Sequence, residues 1–279
     1  MILPILIIGT ILGGILTLVA CGFTLTFGVG RIFNFAHGTF FAISAYTAYA
    51  LFPYLGYSSL LIGVLASALF GLAMHYLIKP IRRNEIMVIL LTLSLALLVE
   101  QIILMIFGVD AISIAPIIKG SINLFGVEVT NVKILSFAIT IASMIALERL
   151  IKKTRLGREI SAVSQDVESA MIVGIDIERV FMFTLLISSI LAGIGGILYA
   201  QIYSLTPNSA LEILLLAFAI VVVGGLGSVN GSVVSAFIIS YIKTAVSVLL
   251  GTRWSELAVL IVIIAILIVR PQGLFGVEE

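Results

Sequence analysis

Three polar side chains stand in stretches otherwise given over to apolar residues. Asn34 and His37 belong to GRIFNFAHG at 30–38, and Glu100 lies inside an apolar run at 86–107. A carboxylate within a bilayer costs about 2.5–3.5 kcal/mol on insertion scales, so such groups face a bundle interior, a partner or a watery cavity. On one reading the three line a solute path, with Asn34 and His37 near the cytoplasmic mouth and Glu100 deeper or toward the outer half. On the other, Asn34 caps a helix, His37 snorkels at the interface and Glu100 pairs with a neighbouring helix. The residues alone admit both.

The densest polar segment is KKTRLGREISAVSQDVESAMIVGIDIERV at 152–180. Its basic residues, with Arg149, are balanced by Glu148, Glu159, Asp166, Glu168, Asp176 and Glu178. Ile160, Val163, Val167, Ala170 and Met171 recur at helical spacing, which predicts one short amphipathic helix that Gly174 stops. Helices that lie on lipid are usually net basic; near-neutral charge favours a protein partner for this one. A third feature, GGLGSVNGS at 224–232, permits a sharp reversal or close backbone approach.

No enzyme chemistry is spelled out. His37 and His75 have no nearby cysteine or paired carboxylate to complete a metal site, and no nucleophile stands beside a base. G-x-x-x-x-G-K-[ST] is absent, so this chain binds no nucleotide through a P-loop; were transport driven by ATP, a separate subunit would have to use it, and no cofactor is expected on this chain. Cys21 is the single cysteine and forms no intrachain disulfide. A net charge of +1 without a basic stripe argues against nucleic acid.

The elements that must position these residues are membrane helices. Charged residues are 10% of the chain and hydrophobic ones 61%, against about 25% and 45–50% in soluble domains. The first run, too long and lacking a basic leader, reads as a retained span rather than a signal peptide. About 20 apolar residues cross a bilayer, and backbone polar groups there must be satisfied within the segment. The runs at 2–29, 35–54, 58–78, 86–107, 132–151, 180–203, 211–223, 233–250 and 255–269 therefore predict an all-α polytopic bundle of eight or nine spans, a single transmembrane domain over 1–279 with a cytoplasmic loop at 152–179. The seventh run is short enough to be a half-helix or re-entrant segment. Most of the 15 Lys and Arg residues fall on one side of this arrangement, which the positive-inside rule assigns to the cytoplasm, leaving the N-terminus outside. Small residues repeat every fourth position at Gly9–Gly13–Thr17–Cys21, Gly63–Ser67–Gly71, Ser188–Ala192–Gly196–Ala200 and Ser232–Ala236–Ser240–Thr244, the pattern that lets membrane helices approach closely.

Taken in order, four stretches resemble the permease subunits of branched-chain amino acid ABC importers, and in length the shorter of the two permease types. They are GFTLTFGVGRIFNFAHGTFFAISAY at 22–46, TRLGREISAVSQDVESAMIVGIDIERV at 154–180, VVVGGLGSVNGSVVSAF at 221–237 and VRPQGLFG at 269–276. The chain departs from the family pattern at Thr92–Leu93–Ser94, at Glu100–Gln101 and at Asn230. The resemblance implies a multi-pass subunit of the cell membrane working with a second permease chain, two cytoplasmic ATPase subunits and an extracytoplasmic solute-binding protein. It implies an ATPase-coupling role for Gln165, Asp166, Gly174 and Ile175 within the loop. Relatives of this family also carry urea and short amides, so those solutes are the alternative. A self-sufficient secondary transporter with Glu100 as a proton or cation site is the other.

Overall fold

The computed structural model describes residues 2–124, 126–270 and 272–275. Nine long or apolar helices make up the bundle: α1 (Ile2–Gly30), α2 (His37–Leu55), α3 (Ser58–Ile78), α4 (Glu85–Phe107), α5 (Asn131–Lys153), α8 (Ile177–Ala200), α9 (Ser209–Gly224), α10 (Val229–Leu249) and α11 (Thr252–Val269). Between α5 and α8 lie two short helices, α6 (Arg155–Gln165) and α7 (Val167–Ile172). Seven of the nine are long and apolar enough to cross a membrane. The other two are α2, of 19 residues, whose tyrosines and Pro53 dilute its hydrophobicity, and α9, of 16 residues. At about 1.5 Å per residue α9 extends roughly 24 Å, short of a bilayer's hydrocarbon thickness of about 30 Å. It runs into α10 through a four-residue turn in which Gly225 and Gly227 take φ of 99° and 83°.

The bundle is helical, as the hydrophobic runs require. The connection from α4 to α5 adds one feature they did not announce: β1 (Ser121–Leu124) pairs antiparallel with β2 (Val127–Thr130), Ser121 facing Thr130. Upstream of it, Ile112 exchanges backbone hydrogen bonds with Leu205, and Ile114 N–H donates to the Ala200 carbonyl, which fastens the loop to the α8–α9 connection.

Helix α1 is the centre. It packs against α5, α8, α9 and α10, while α8 also meets α2 and α3. Their faces are the small-residue stripes: every member of all four is buried. The rings of Tyr241 and Phe237 on α10 cover Gly9 and Gly13, and Ser240 Oγ donates to the Gly9 carbonyl at 2.7 Å. On the other side, Ser67 Oγ donates to the Ser189 carbonyl at 2.8 Å. At Gly196 of α8 the Phe41 carbonyl of α2 occupies the place a Cβ would need, so this crossing is set by the absence of a side chain. Without a hydrophobic drive between helices in lipid, such close packing and interhelical hydrogen bonds supply the association. By contrast α4 and α11 bury few residues and form the periphery.

The last two sequence motifs meet in space. Leu274 and Phe275 N–H donate to the Val223 and Gly224 carbonyls, which closes the orphan carbonyls at the end of α9. Gly224 in turn lies against Gly231. Pro271 and Gly276 of the final motif lie outside the described residues.

Candidate functional site: a capped helix tip and the polar groups behind it

The amphipathic segment forms two helices where one was expected. Asp166 breaks it: its extended backbone ends α6, and its carboxylate caps α7, Oδ1 accepting from Glu168 N–H at 2.9 Å and Ser169 N–H at 3.3 Å. The Ser169 hydroxyl donates to Oδ2; this bond first, then the amide of Ser169, holds the Asp166 carboxyl below its ordinary range. A side chain that satisfies two N-terminal amides favours a new helix start over continuation of the old one.

The far end of α7 is closed just as fully. Ile175 N–H donates to the Ala170 carbonyl and Gly174 N–H to the Met171 carbonyl, each at 3.0 Å, the pair of bonds that defines a Schellman ending. This ending needs a left-handed residue, and Gly174 has φ of 84°. Asp176 follows at once and caps α8 through Arg179 N–H at 3.2 Å.

The break also changes which face is buried. Ile160, Val163 and Ala170 turn inward, whereas Met171, expected on the inner face, is exposed because α7 does not continue the line of α6. Met171, Ile172 and Val173 are 54%, 85% and 75% exposed. The result is an apolar tip on a short helix with both ends capped. Gln165 and Asp166 are exposed at its start, Gly174 is exposed at its end, and Ile175 is half-buried behind it.

Two arginines that the sequence suggested only as topology signals tie this tip to the bundle. Arg31 Nη2 donates to the Ser164 and Gln165 carbonyls at 3.1 and 3.3 Å, a cation on the carbonyl end of α6 where the helix dipole favours one. Arg31 takes φ of 54°, the left-handed position after α1. Arg82 pairs with Glu178 at 3.2 Å, lies 4.2 Å over the Phe181 ring and reaches the Val29 carbonyl at 3.5 Å. One guanidinium thereby joins the α3–α4 turn, the end of α1 and the start of α8. Its partner Glu178 is far away in sequence, so no local pattern marks the pair.

The polar residues of the first turn lie deeper. His37 is fully buried: Nε2–H donates to the Val19 carbonyl at 2.9 Å, and Nδ1 lies 3.4 Å from Ser188 Oγ. That hydroxyl donates to the Gly22 carbonyl at 2.7 Å and accepts from Thr26 at 2.9 Å. Phe23 and Phe40 meet the imidazole edge to face. The group therefore stitches α1, α2 and α8 together. Asn34 is also buried; its Oδ1 accepts from Ala36 N–H at 3.0 Å, and its Nδ2 has no partner among the described residues. Glu100 lies elsewhere, half-exposed on α4, facing a shallow groove shared with Phe35, Thr39 and Leu214. Among the described residues, neither Asn34 nor His37 lines the groove that Glu100 faces.

Two larger cavities open in the bundle. One of about 480 Å³ lies between α1, α5 and the start of α10, with Thr17, Thr140 and Asn230 in its wall and the Glu148–Lys152 pair at its edge. A second of about 340 Å³ lies at the opposite end from α6 and α7, among α1, α8, α9, α10 and α11.

A multi-pass helical bundle with close-packed small-residue seams and an exposed apolar tip is the architecture of an integral membrane protein. Residues 5–268 match the family described as the branched-chain amino acid transport system permease component, and the chain belongs to that family. The high-affinity branched-chain amino acid transport system permease protein LivH of Salmonella typhimurium is 25% identical over 97% of this chain and 94% of its own length. The probable branched-chain amino acid transport permease LivH of Methanocaldococcus jannaschii is 28% identical over 96% and 90%. A more distant relative, the autoinducer 2 import system permease LsrC of Yersinia enterocolitica, is 24% identical over 49% of this chain and 40% of its own. No solved structure matches.

Proposed function

We propose that this chain is the membrane-spanning permease subunit of an ATP-driven importer that brings branched-chain amino acids into the cytoplasm. The observation that carries the coupling half of the reading is α7. A six-residue helix would not hold its shape alone in water, yet here both ends are capped and Met171, Ile172 and Val173 point outward. That is a feature built to be gripped by another protein. Its occupant in this reading is a groove on an ATPase subunit, with Gln165, Asp166, Gly174 and Ile175 fixing the tip. Movement of the ATPase then reaches α1, α3 and α8 through Arg31 and Arg82 as a rigid-body shift.

The working assembly has two permease chains, two ATPase subunits that use the ATP, and an extracytoplasmic binding protein that selects the solute. The basic islands face the cytoplasm. Cysteines placed at 34, 37 and 100 in a Cys21→Ala background, probed with a water-soluble thiol reagent in each nucleotide state, test those positions as pathway residues. The function itself is tested in proteoliposomes: the complete complex is expected to accumulate leucine only with internal ATP. Accumulation driven by an ion gradient with this chain alone would overturn the reading.

A further inference from the structure

The 340 Å³ cavity differs from the larger one in that its two opposite charges are not closed on one another. Glu212 of α9 and Lys243 of α10 enter its wall from different helices, and the hydroxyl residues Tyr199, Tyr203, Thr244, Ser247, Thr252 and Ser255 complete the polar side. Opposite charges at membrane depth are normally found closed on one another. Here neither Glu212 nor Lys243 has a salt bridge within 4.0 Å among the described residues. Tyr203 Oη and Thr244 Oγ1 are buried beside them with no hydrogen-bond partner, an expensive state for a hydroxyl unless something else completes it. The remaining wall, including Leu12, Ile213, Leu216 and Val248, is apolar.

A ligand that completes this wall must offer a cation to Glu212, an anion to Lys243 and the hydroxyls, and a hydrocarbon body to the leucines. A free α-amino acid with a branched aliphatic side chain has those three parts. The volume falls at the small end of ligand pockets, which run from roughly 300 to 1,000 Å³. The site lies at the end of the bundle where solute arrives if the basic end is cytoplasmic. We infer that this cavity is a reception site for the zwitterionic head of the transported amino acid, with Glu212 facing the ammonium and Lys243 the carboxylate. The inference rests on the importer reading above. It also bears on the solute: an uncharged amide could hydrogen-bond both charged groups but would neutralise neither.

The test uses the assembled complex in lipid nanodiscs, Cys21→Ala throughout, with Ser247→Cys and Leu12→Cys made separately, wall positions that leave Glu212 and Lys243 in place. The rate of modification by a small charged thiol reagent is measured with L-leucine, with isopentylamine, which lacks the carboxylate, and with 4-methylpentanoate, which lacks the ammonium. Leucine is expected to slow labelling at each position by about tenfold more than either analogue, the discrimination one charge-assisted hydrogen bond supplies. Equal protection by all three compounds, or none by leucine, at both positions overturns the site. In parallel, Lys243→Met is expected to raise the KM for leucine with the melting temperature unchanged. A drop in melting temperature with unchanged KM would instead mark the lysine as structural and overturn the inference. If the parent complex imports leucine and labelling is unprotected, only the site fails; if it imports no leucine, the transport reading falls and the site with it.

Discussion

Gly174 isolates the contribution of the capped tip, because a side chain there has nothing to strike. A Cβ built on it meets no atom within 4 Å, so the whole effect of substitution is backbone strain at φ of 84°. For a residue with an L side chain the left-handed region costs about 1–2 kcal/mol, Asn escapes part of it through its local hydrogen bonding, and β-branched residues suffer most. A loss of 1–2 kcal/mol changes the ratio of capped to frayed α7 by roughly 5- to 30-fold. The series Gly174, Gly174→Asn, Gly174→Ala, Gly174→Val should therefore lower leucine transported per ATP hydrolysed in that order. The bundle's melting temperature in detergent is expected to stay put, since Ala170 is the one buried residue of α7. Native coupling in Gly174→Val, or an asparagine as damaging as the valine, would refute the reasoning. A fall in melting temperature that tracks the loss of coupling would refute it too.

Three further outcomes follow from the same geometry. Ser188→Ala removes the group that receives Thr26 and stands beside His37, and should lower stability by about 1–3 kcal/mol, read as a lower melting temperature with α2 most affected in hydrogen exchange. A double-mutant cycle on Arg82→Gln and Glu178→Gln should give a coupling energy of about 1 kcal/mol or less that shrinks with salt, because the Glu178 side chain is 42% exposed and screened; a large salt-independent value would contradict this. Asp166 has its folded pKa depressed by Ser169, so its cap is fully present above the ordinary aspartate value of about 3.9 and is lost as pH falls through the lower folded one. Protection of the 167–172 amides, corrected for intrinsic exchange, should stay flat between about pH 5 and 8 in the wild type. It should be reduced throughout in Asp166→Ala.

Most of the bundle was legible because the bilayer leaves a chain few options. An apolar run of sufficient length must be a helix, and each of the nine runs became one with ends shifted by only a few residues, the short seventh included. The small-residue stripes were equally plain, since spacing of four puts Gly63, Ser67 and Gly71 on one face whatever lies opposite. What lay opposite was not legible: nothing near Gly196 names Phe41. The split at Asp166 was missed because the apolar period of Ile160, Val163, Val167 and Ala170 carries straight across it. The aspartate three residues ahead of Ser169 was the available sign of a second start. Nothing in the sequence links Glu212 with Lys243, because only the fold brings α9 and α10 around one cavity.

The central place of α1 has a consequence for how the protein is made. This helix leaves the ribosome before the partners that bury it, and α8, α9 and α10 are synthesised more than a hundred residues later. During that interval its Gly9–Gly13–Thr17 groove has only lipid or the insertion machinery to lie against. Contacts of such long sequence separation form slowly, and incomplete membrane intermediates expose the surfaces most prone to wrong pairing. The bonds from Leu274 and Phe275 to the end of α9 form only after α11 has been made. Nascent chains halted after α8 are therefore the species on which quality-control proteases should act most readily.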